Sequence, residues 1–599
     1  MRHALLWLLL IAPLAVAAPG AKDSPVPADE SLGLVPADAT LVLQLNGHEK
    51  FKQRVNKMVE NALPDQAKKI AAQLDTLMGE ALSGRDLKAI RGDARIYFCV
   101  SELQKLPDAA DVTLLLPIKD YDDFKKTFLI DDERKSMQKE KGFDTVTIEA
   151  MVFHLVPVKG YVAVVSNADT AKKISEGKAG GLAALMSPDT LQGFLGADLS
   201  VFVNMKQVNE KFGEQIKTYK ALVGTVFNGG GGLGIQGISK AQLDVIKALI
   251  ENVFQMVEDG AGFVLAIDSR PEGVNLRLME QFGKDTPTAK LLQSAKPDQL
   301  EELGTLPGGQ AGYSASRLNL KGSSAAALFG GLLTGEDEDA KVKEAIDKIA
   351  KEIAGYDQGL NLSANSSLYG GALQITESKD ADKLLAAQVK LLKTLTTTSS
   401  FANVSLKEKP TVQEKAVKAG PFELTKVVTK FDFDKAVANL PEETREMTKN
   451  SMKKAVGGDE LTTWLGAANG KFVTVTAKTA AAATAQVETY LDAGKSIGKD
   501  EAFQFTRRQL PRETSWVMLL DAAQTAHGMF GMFKDTAGMI PVPGLPGNLP
   551  DLKAPTGKPA YIGVALVLKP EHGSFDLFVP VKAVAAIRDY LGPFFNKDN

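Results

Sequence analysis

Gly232, Gly234 and Gly237, in the stretch NGGGGLGIQG from Asn228 to Gly237, carry the G-x-G-x-x-G spacing. In dinucleotide-binding folds that spacing lets backbone amides close around a pyrophosphate, provided a strand comes directly before it and a helix directly after. The helix after is well marked. Ser239-Lys240-Ala241-Gln242 has the form of a capping box, and Leu243, Ile246, Ile250, Val253 and Val257 make one apolar stripe. Before the glycines, Phe212, Ile216, Tyr219, Val223 and Val226 recur at three- and four-residue intervals, which predicts a second helix rather than a strand. A glycine loop between two helices does not aim successive amides at a pyrophosphate. The run reads as a connector, and no cofactor is expected.

The other chemistry-bearing residues are equally sparse. His48, His154, His527 and His572 are the histidines beyond the N-terminal leader, and no two are close enough for a helical two-histidine metal motif. His154 shares strand parity with Ile148, Val152 and Val156 and reads as a half-buried structural residue. There is no G-x-S-x-G. The spacing S-x-x-K occurs at Ser136/Lys139, Ser175/Lys178, Ser451/Lys454 and Ser496/Lys499, without the S-D-N and K-T-G partners of penicillin-recognising enzymes. Asp131-Asp132-Glu133 and the run Glu336 to Asp339 invite a calcium reading. The second run lacks the EF-hand glycine and terminal glutamate, and it precedes the amphipathic series Val342, Ile346, Ile349, Ile353, so a helix N-terminus accounts for it better. Arg91-Gly92-Asp93 is a polar turn before the strand ARIYFCV. Trp464 and Trp516 sit in apolar contexts suited to packing rather than to glycan platforms. No catalytic residue and no metal site is expected.

The context for these residues is set by the N-terminus and by charge. MRHALLWLLLIAPLAVAAPG reads as a secretory signal peptide over residues 1–17, with cleavage near Ala17. No later run is apolar for long enough to span a bilayer, so the mature chain is expected to lack a transmembrane segment and to be periplasmic or extracellular. Cys99, the single cysteine, excludes an internal disulfide and reads as a core residue. Lys and Arg number 70 against 73 Asp and Glu, with no basic stripe, which argues against nucleic acid.

After a leader over residues 18–36, the chain repeats one series of elements. DVTLLLPIKDYDDFKKTF is answered by SLYGGALQITESKDADKLLAAQ, GYVAVVSNADTAKKISEG by GKFVTVTAKTAAAATAQVETYLDAG, and LSVFVNMKQV by SWVMLLDAAQ. GAGFVLAIDSRPEGVNLRLMEQF is answered by AYIGVALVLKPEHGSFDLFVPV. The series predicts an α+β fold of two tandem diverged repeats, residues 37–300 and 301–595, meeting near Lys296 to Gln310. Each is expected to be a mostly antiparallel sheet with helices packed on one face. Asp120 is placed to cap one helix, Gly177 to close another, and Lys159-Gly160 to turn a hairpin.

Between the last two strand pairs, the second half carries HGMFGMFKDTAGMIPVPGLPGNLPDLKAPTGKP, from His527 to Pro559. Met529, Phe530, Met532, Phe533, Met539 and Ile540 in this irregular insertion form a candidate partner-contact loop, since methionine-rich apolar surface adapts to varied partners. In its leader, in LVPADATLVLQLNG, in VTLLLPIKDYDDFKKTF and GYVAVVSNADTAKKI, and in its strand-turn-strand endings, the chain resembles large exported proteins of unknown function from planctomycete-type bacteria. The resemblance implies an α+β body outside the cytoplasm and carries over no site residue. The expected function is non-catalytic binding or scaffolding, with a protein or cell-envelope component as partner. Two alternatives stand beside it: an exported hydrolase whose site is assembled from distant residues, and a ligand-binding protein with a cleft between the halves.

Overall fold

The computed structural model describes residues 30–81, 85–105, 110–148, 150–228, 240–318, 339–356, 358–367, 372–401, 404–438, 440–536 and 551–595. Residues 1–17, read above as a signal peptide, most of residues 18–36, and Gly232, Gly234 and Gly237 lie outside the described residues. Ten strands come from the first half: β1 (Leu41–Asn46), β2 (Arg95–Val100), β3 (Val112–Pro117), β4 (Gln138–Lys139), β5 (Asp144–Ile148), β6 (Met151–Val158), β7 (Tyr161–Val165), β8 (Leu199–Val203), β9 (Gly260–Arg270) and β10 (Gly273–Phe282). From the second half, ten strands join the same large sheet: β11 (Gly312–Ser316), β12 (Asn361–Asn365), β13 (Ala372–Glu377), β14 (Thr411–Ala419), β15 (Phe422–Lys430), β16 (Glu460–Ala468), β17 (Lys471–Thr476), β18 (Trp516–Asp521), β19 (Tyr561–Lys569) and β20 (His572–Pro580), while Ser400–Phe401 and Val404–Ser405 pair only with each other.

Apart from that short hairpin, the strands of the two halves form not two sheets but one, of 20 strands. The hydrogen-bonded order is β4-β5-β6-β7-β3-β2-β1-β8-β9-β10 and then β20-β19-β18-β11-β12-β13-β17-β16-β15-β14, with every neighbouring pair antiparallel. Read outward from the centre, the two halves follow the same order, offset by ten. The expected pair of separate sheets is therefore corrected: edge strands β10 and β20 expose complementary ladders, and pairing satisfies their backbone groups. The outer ends are blunted instead. β4 is two residues long, and β14 bulges between Gln413 and Val417, where Lys415 takes φ 51 and Glu414 and Lys415 point charge outward.

Local signals set the connections. Asp120 accepts the Asp123 amide at 2.9 Å to cap the helix Tyr121–Phe128. Gly160 (φ 71) turns β6 into β7, and Gly177 (φ 68) follows the helix Ala168–Ser175, each in the left-handed region that glycine enters without steric cost. Asp339 caps the helix Ala340–Gly355, as its acidic lead-in suggested.

The expectation of helices on one face is also corrected, since both faces are covered. In the first half, Leu115, Val156, Ala163 and Val165 join Phe194, Ala171 and Ile174 of the helices Pro188–Gly196 and Ala168–Ser175. The alternate residues Leu116, Leu155, Val162 and Val164 join Phe124 and Phe128 of Tyr121–Phe128. The second half does the same, with Val473 and Val475 toward the helices Ala480–Leu491 and Glu501–Gln509, and Leu465 and Phe472 toward Ala340–Gly355 and Ala381–Thr394. With apolar side chains on both faces, a strand such as LLLP is nearly continuous in hydrophobicity, and each side chain gains roughly 1.5–3 kcal/mol from burial.

The junction runs from Gly273↔Pro580 to Gln281↔His572, and its central rung is Arg277↔Asp576. A Cβ on Gly273 would lie 2.6 Å from the Val579 carbonyl oxygen, so only glycine fits the first rung. Arg277 Nε donates to Asp576 Oδ1 at 2.6 Å, and the Asp576 side chain is wholly buried. Removing one member leaves the other charge buried and alone. Arg277→Met is expected to cost about 3 kcal/mol in urea unfolding, and Arg277→Met with Asp576→Leu to recover most of that loss.

Candidate functional site

Side chains directly opposite in an antiparallel ladder share a face, so the junction places Asn275 with Phe578, Arg277 with Asp576, Met279 with Ser574 and Gln281 with His572. The result is a polar stripe between two apolar cores. Ser574 donates to Asp576 Oδ2 at 3.4 Å, and Gln281 Oε1 accepts the Ser187 amide at 2.7 Å and the Thr190 hydroxyl at 3.1 Å. Lys569 pairs with Asp189 at 2.8 Å across the two halves. His572 is buried beside them with its Nδ1 unpartnered, and burial holds its pKa below the ordinary imidazole value.

Next to this stripe lies a carboxyl pair. Asp198, at the entry to β8, accepts the Ser269 amide at 2.6 Å and pairs with Arg54 of the helix His48–Ala62. The amide contact is a structural duty: at the entry to β18, Ser515 Oγ accepts the Leu568 amide at 3.0 Å in the same way. Asp268, on β9, lies 3.0 Å from Arg270 and 3.5 Å from Arg54. Burial, then the charge of Asp198, push Asp268 up to about 7, against the pull of Arg270 and Arg54. Burial likewise raises Asp198. Two buried carboxyl groups with two guanidinium groups hold a proton near neutrality.

Asp268, Asn275 and Arg277 also line a pit of about 30 Å³ under the last turn of the helix Pro188–Gly196. Gly193 permits that close packing, because a Cβ there would overlap the Met279 sulfur. Asn275 is 5% exposed, and its Oδ1 has no hydrogen-bond partner.

The residues singled out from sequence fall elsewhere. Met529, 44% exposed, and half-buried Phe530 lie on the helix Ala522–Thr536, which also includes Met532 and Phe533. Met539 and Ile540 lie outside the described residues. The insertion read as irregular from His527 is therefore helical to Thr536, where His527 Nδ1 meets the Tyr590 hydroxyl at 2.6 Å. His154 is buried, bonded to Thr145 at 3.1 Å and edge-on to Phe143. Glu133 forms a two-pronged pair with Arg85, and Trp464 is buried with its Nε1 on the Ala477 carbonyl. Among the described residues no group of three or more His, Cys, Asp or Glu is arranged to hold a metal, and no helix is long and apolar enough to cross a membrane.

Sequence reasoning missed one surface. The helices Met205–Asn228 and Lys240–Asp259 pack on each other, yet Tyr219 (63%), Leu222 (56%), Val253 (58%) and Met256 are exposed. Lys220, Val223, Lys247, Ile250 and Phe254 of the same pair line a groove of about 340 Å³. The signal was present in the width of the apolar stripe, since Leu222 and Met256 lie outside the arc that a single partner helix covers.

No protein-family model, curated protein or solved structure matches the chain.

The carboxyl pair makes a pH prediction. A carboxyl raised from an ordinary value of about 4 to about 7 in the folded state stabilises the fold while protonated. That contribution is complete below about pH 4 and is lost as pH rises through about 7. Asp268→Asn, neutral throughout, should therefore be more stable than the parent above about pH 7 by more than ~1 kcal/mol, and should show a flatter dependence of unfolding midpoint on pH.

Proposed function

We propose that the protein is an exported, non-catalytic binding or scaffolding protein that presents the helix pair Met205–Asn228 and Lys240–Asp259 to a partner. The observation that carries this reading is the exposure of Tyr219, Leu222, Val253 and Met256 on helices with few anchors in the sheet. Apolar residues clustered in this way on a soluble surface mark contact sites more often than isolated ones do. Export rests on the signal-peptide form of the first 17 residues, and two diverged tandem copies on the matching strand order of the halves. The alternative of a cleft between the halves is not favoured by an unbroken ladder from β10 to β20.

The reading makes two measurable demands. Mass spectrometry of the secreted or periplasmic protein should find an N-terminus near residue 18, whereas an intact Met1 would remove export. A photo-reactive side chain at Tyr219 or Val253 should crosslink one recurrent partner in intact cells, while the same group at exposed Glu408 should not. Tyr219→Ser with Leu222→Ser should abolish the crosslink formed from Val253 and shift folding stability by no more than about 0.5 kcal/mol each. Equal labelling from all three positions would rule the surface out.

A further inference from the structure

The helix pair Met205–Asn228 and Lys240–Asp259 distributes its charge in a way that selects its partner, an inference that rests on reading the pair as a contact surface. At about 100° per residue, every Lys, Asp and Glu of these helices falls on one half of its own helix, and the other half of each is free of charge. Met205 follows β8 and Asp259 precedes β9, which pairs with β8 antiparallel, so the two helices run in opposite directions. Asn209 donates to the Val257 and Glu258 carbonyls, and Lys220 pairs with Glu258 at 3.0 Å, which marks the line where the helices meet. In antiparallel helices meeting along that line, the two charge-free halves turn to the same side of the pair. Tyr219, Leu222, Val253 and Met256, the exposed large apolar side chains of the pair, all fall on those halves.

We propose that this face binds a second copy of the chain, joining two helix pairs into a four-helix bundle about a two-fold axis. Residues near such an axis meet their own copies, so a charge there would be set against a like charge. A face without charge on either helix avoids that conflict, whereas a partner of different sequence imposes no such condition. The size is also sufficient. Helices of 24 and 20 residues are about 36 and 30 Å long. Side by side they present a face about 30 Å by 20 Å, so two copies cover roughly 1,200 Å², above the ~1,000 Å² that a stable contact needs. A lipid surface is the weaker match. Helices that lie on membranes carry an excess of Lys and Arg on the polar face, and here six Lys stand against six Asp and Glu.

The test is sedimentation equilibrium of the mature chain, residues 18–599. A species of twice the chain mass is expected, with a dissociation constant of about 1–10 µM, as suits an interface near the lower end of the stable range. Because the face holds no charge, raising NaCl from about 0.05 M to about 0.5 M should change that constant by less than about threefold. Tyr219→Glu and, independently, Val253→Glu, one on each helix, should each weaken the dimer by at least about 30-fold, while Lys217→Gln on the charged half should change it by less than about twofold. Both replaced side chains are more than half exposed, so an unfolding midpoint within about 3 °C of the parent shows that the variants fold. In a mixture of isotope-labelled and unlabelled parent, a photo-reactive group at Tyr219 should join labelled to unlabelled peptides within residues 205–228 or 240–259. A parent that stays monomeric at about 100 µM, ten times the weakest expected constant, overturns the second copy. The contact-surface reading would then rest on whether Tyr219 crosslinks a different protein in cells. A dimer that both folded variants leave intact also overturns the proposal, as does a monomer that binds phosphatidylcholine vesicles and loses that binding in Val253→Glu.

Discussion

The ion pair between Arg277 and Asp576 is the constraint on which the rest of the sheet depends. Asp576 is completely buried, and a lone carboxylate in that place would be too costly to keep ionised. Its partner comes from the other half of the chain, 299 positions away. The fold is therefore correct only when β10 and β20 meet in one register, because a slip of one residue would leave Arg277 and Asp576 on opposite faces of the sheet. The same rung selects the partner strand. In an antiparallel ladder centred on this position, β10 against a second β10 would set Arg277 opposite Arg277, and β20 against β20 would set two aspartates together. Like charges directly opposed are destabilising, so the edges accept each other and disfavour copies of themselves.

Polar groups concentrate around this rung while the flanking cores stay apolar. Asp198, Asp268 and Asp576 are offset by Arg54, Arg270 and Arg277, so the stripe is close to neutral as a set even though each member is costly alone. Neutrality fails at one point. Asp268 and Asp198 stand close enough that the second ionisation is opposed by the first, which leaves a proton to be lost near neutral pH. The hydrogen-bonding shortfall at Asn275 lies in the same few ångströms. Stability and protonation are therefore coupled through one set of charges, and anything that neutralises Asp268 alters the balance across the junction.

Much of the architecture was legible in the chain. Alternating strands, the Asp120 and Asp339 caps, and Gly160 and Gly177 at their turns are decided within a few residues of themselves, so local chemistry suffices to place them. The ion pair was not legible, because neither Arg277 nor Asp576 differs in its local pattern from an exposed strand residue. Only the register of two distant strands buries them. The same holds for the carboxyl pair, since Asp198 and Asp268 come together through the β8–β9 pairing. The two-faced coverage was missed for a related reason. A run such as LLLP in β3 is compatible with either face, and the helices that cover both arrive from separate parts of the chain. In the Met- and Phe-rich insertion, the glycines and prolines downstream hid a helix that contacts with Val581–Phe595 and Glu442–Val456 help hold in place.

The helix pair shows how far periodicity can mislead about burial. Tyr219 and Val253 fall on the apolar stripes of their helices, and the natural inference from such a stripe is a buried seam. A two-helix seam can cover only the arc of each helix that faces the other, however, whereas these stripes widen to include Leu222 and Met256. In a helix laid on a sheet, the excess would be absorbed by strand side chains. Here the helix Met205–Asn228 meets β9 near its first turn and then extends beyond it, and past Met205 no described residue along it is fully buried. Among the described residues, the apolar excess is thus left uncovered. Each such side chain regains roughly 1.5–3 kcal/mol when fully covered, so covering the exposed quartet is favourable wherever a complementary apolar surface meets it.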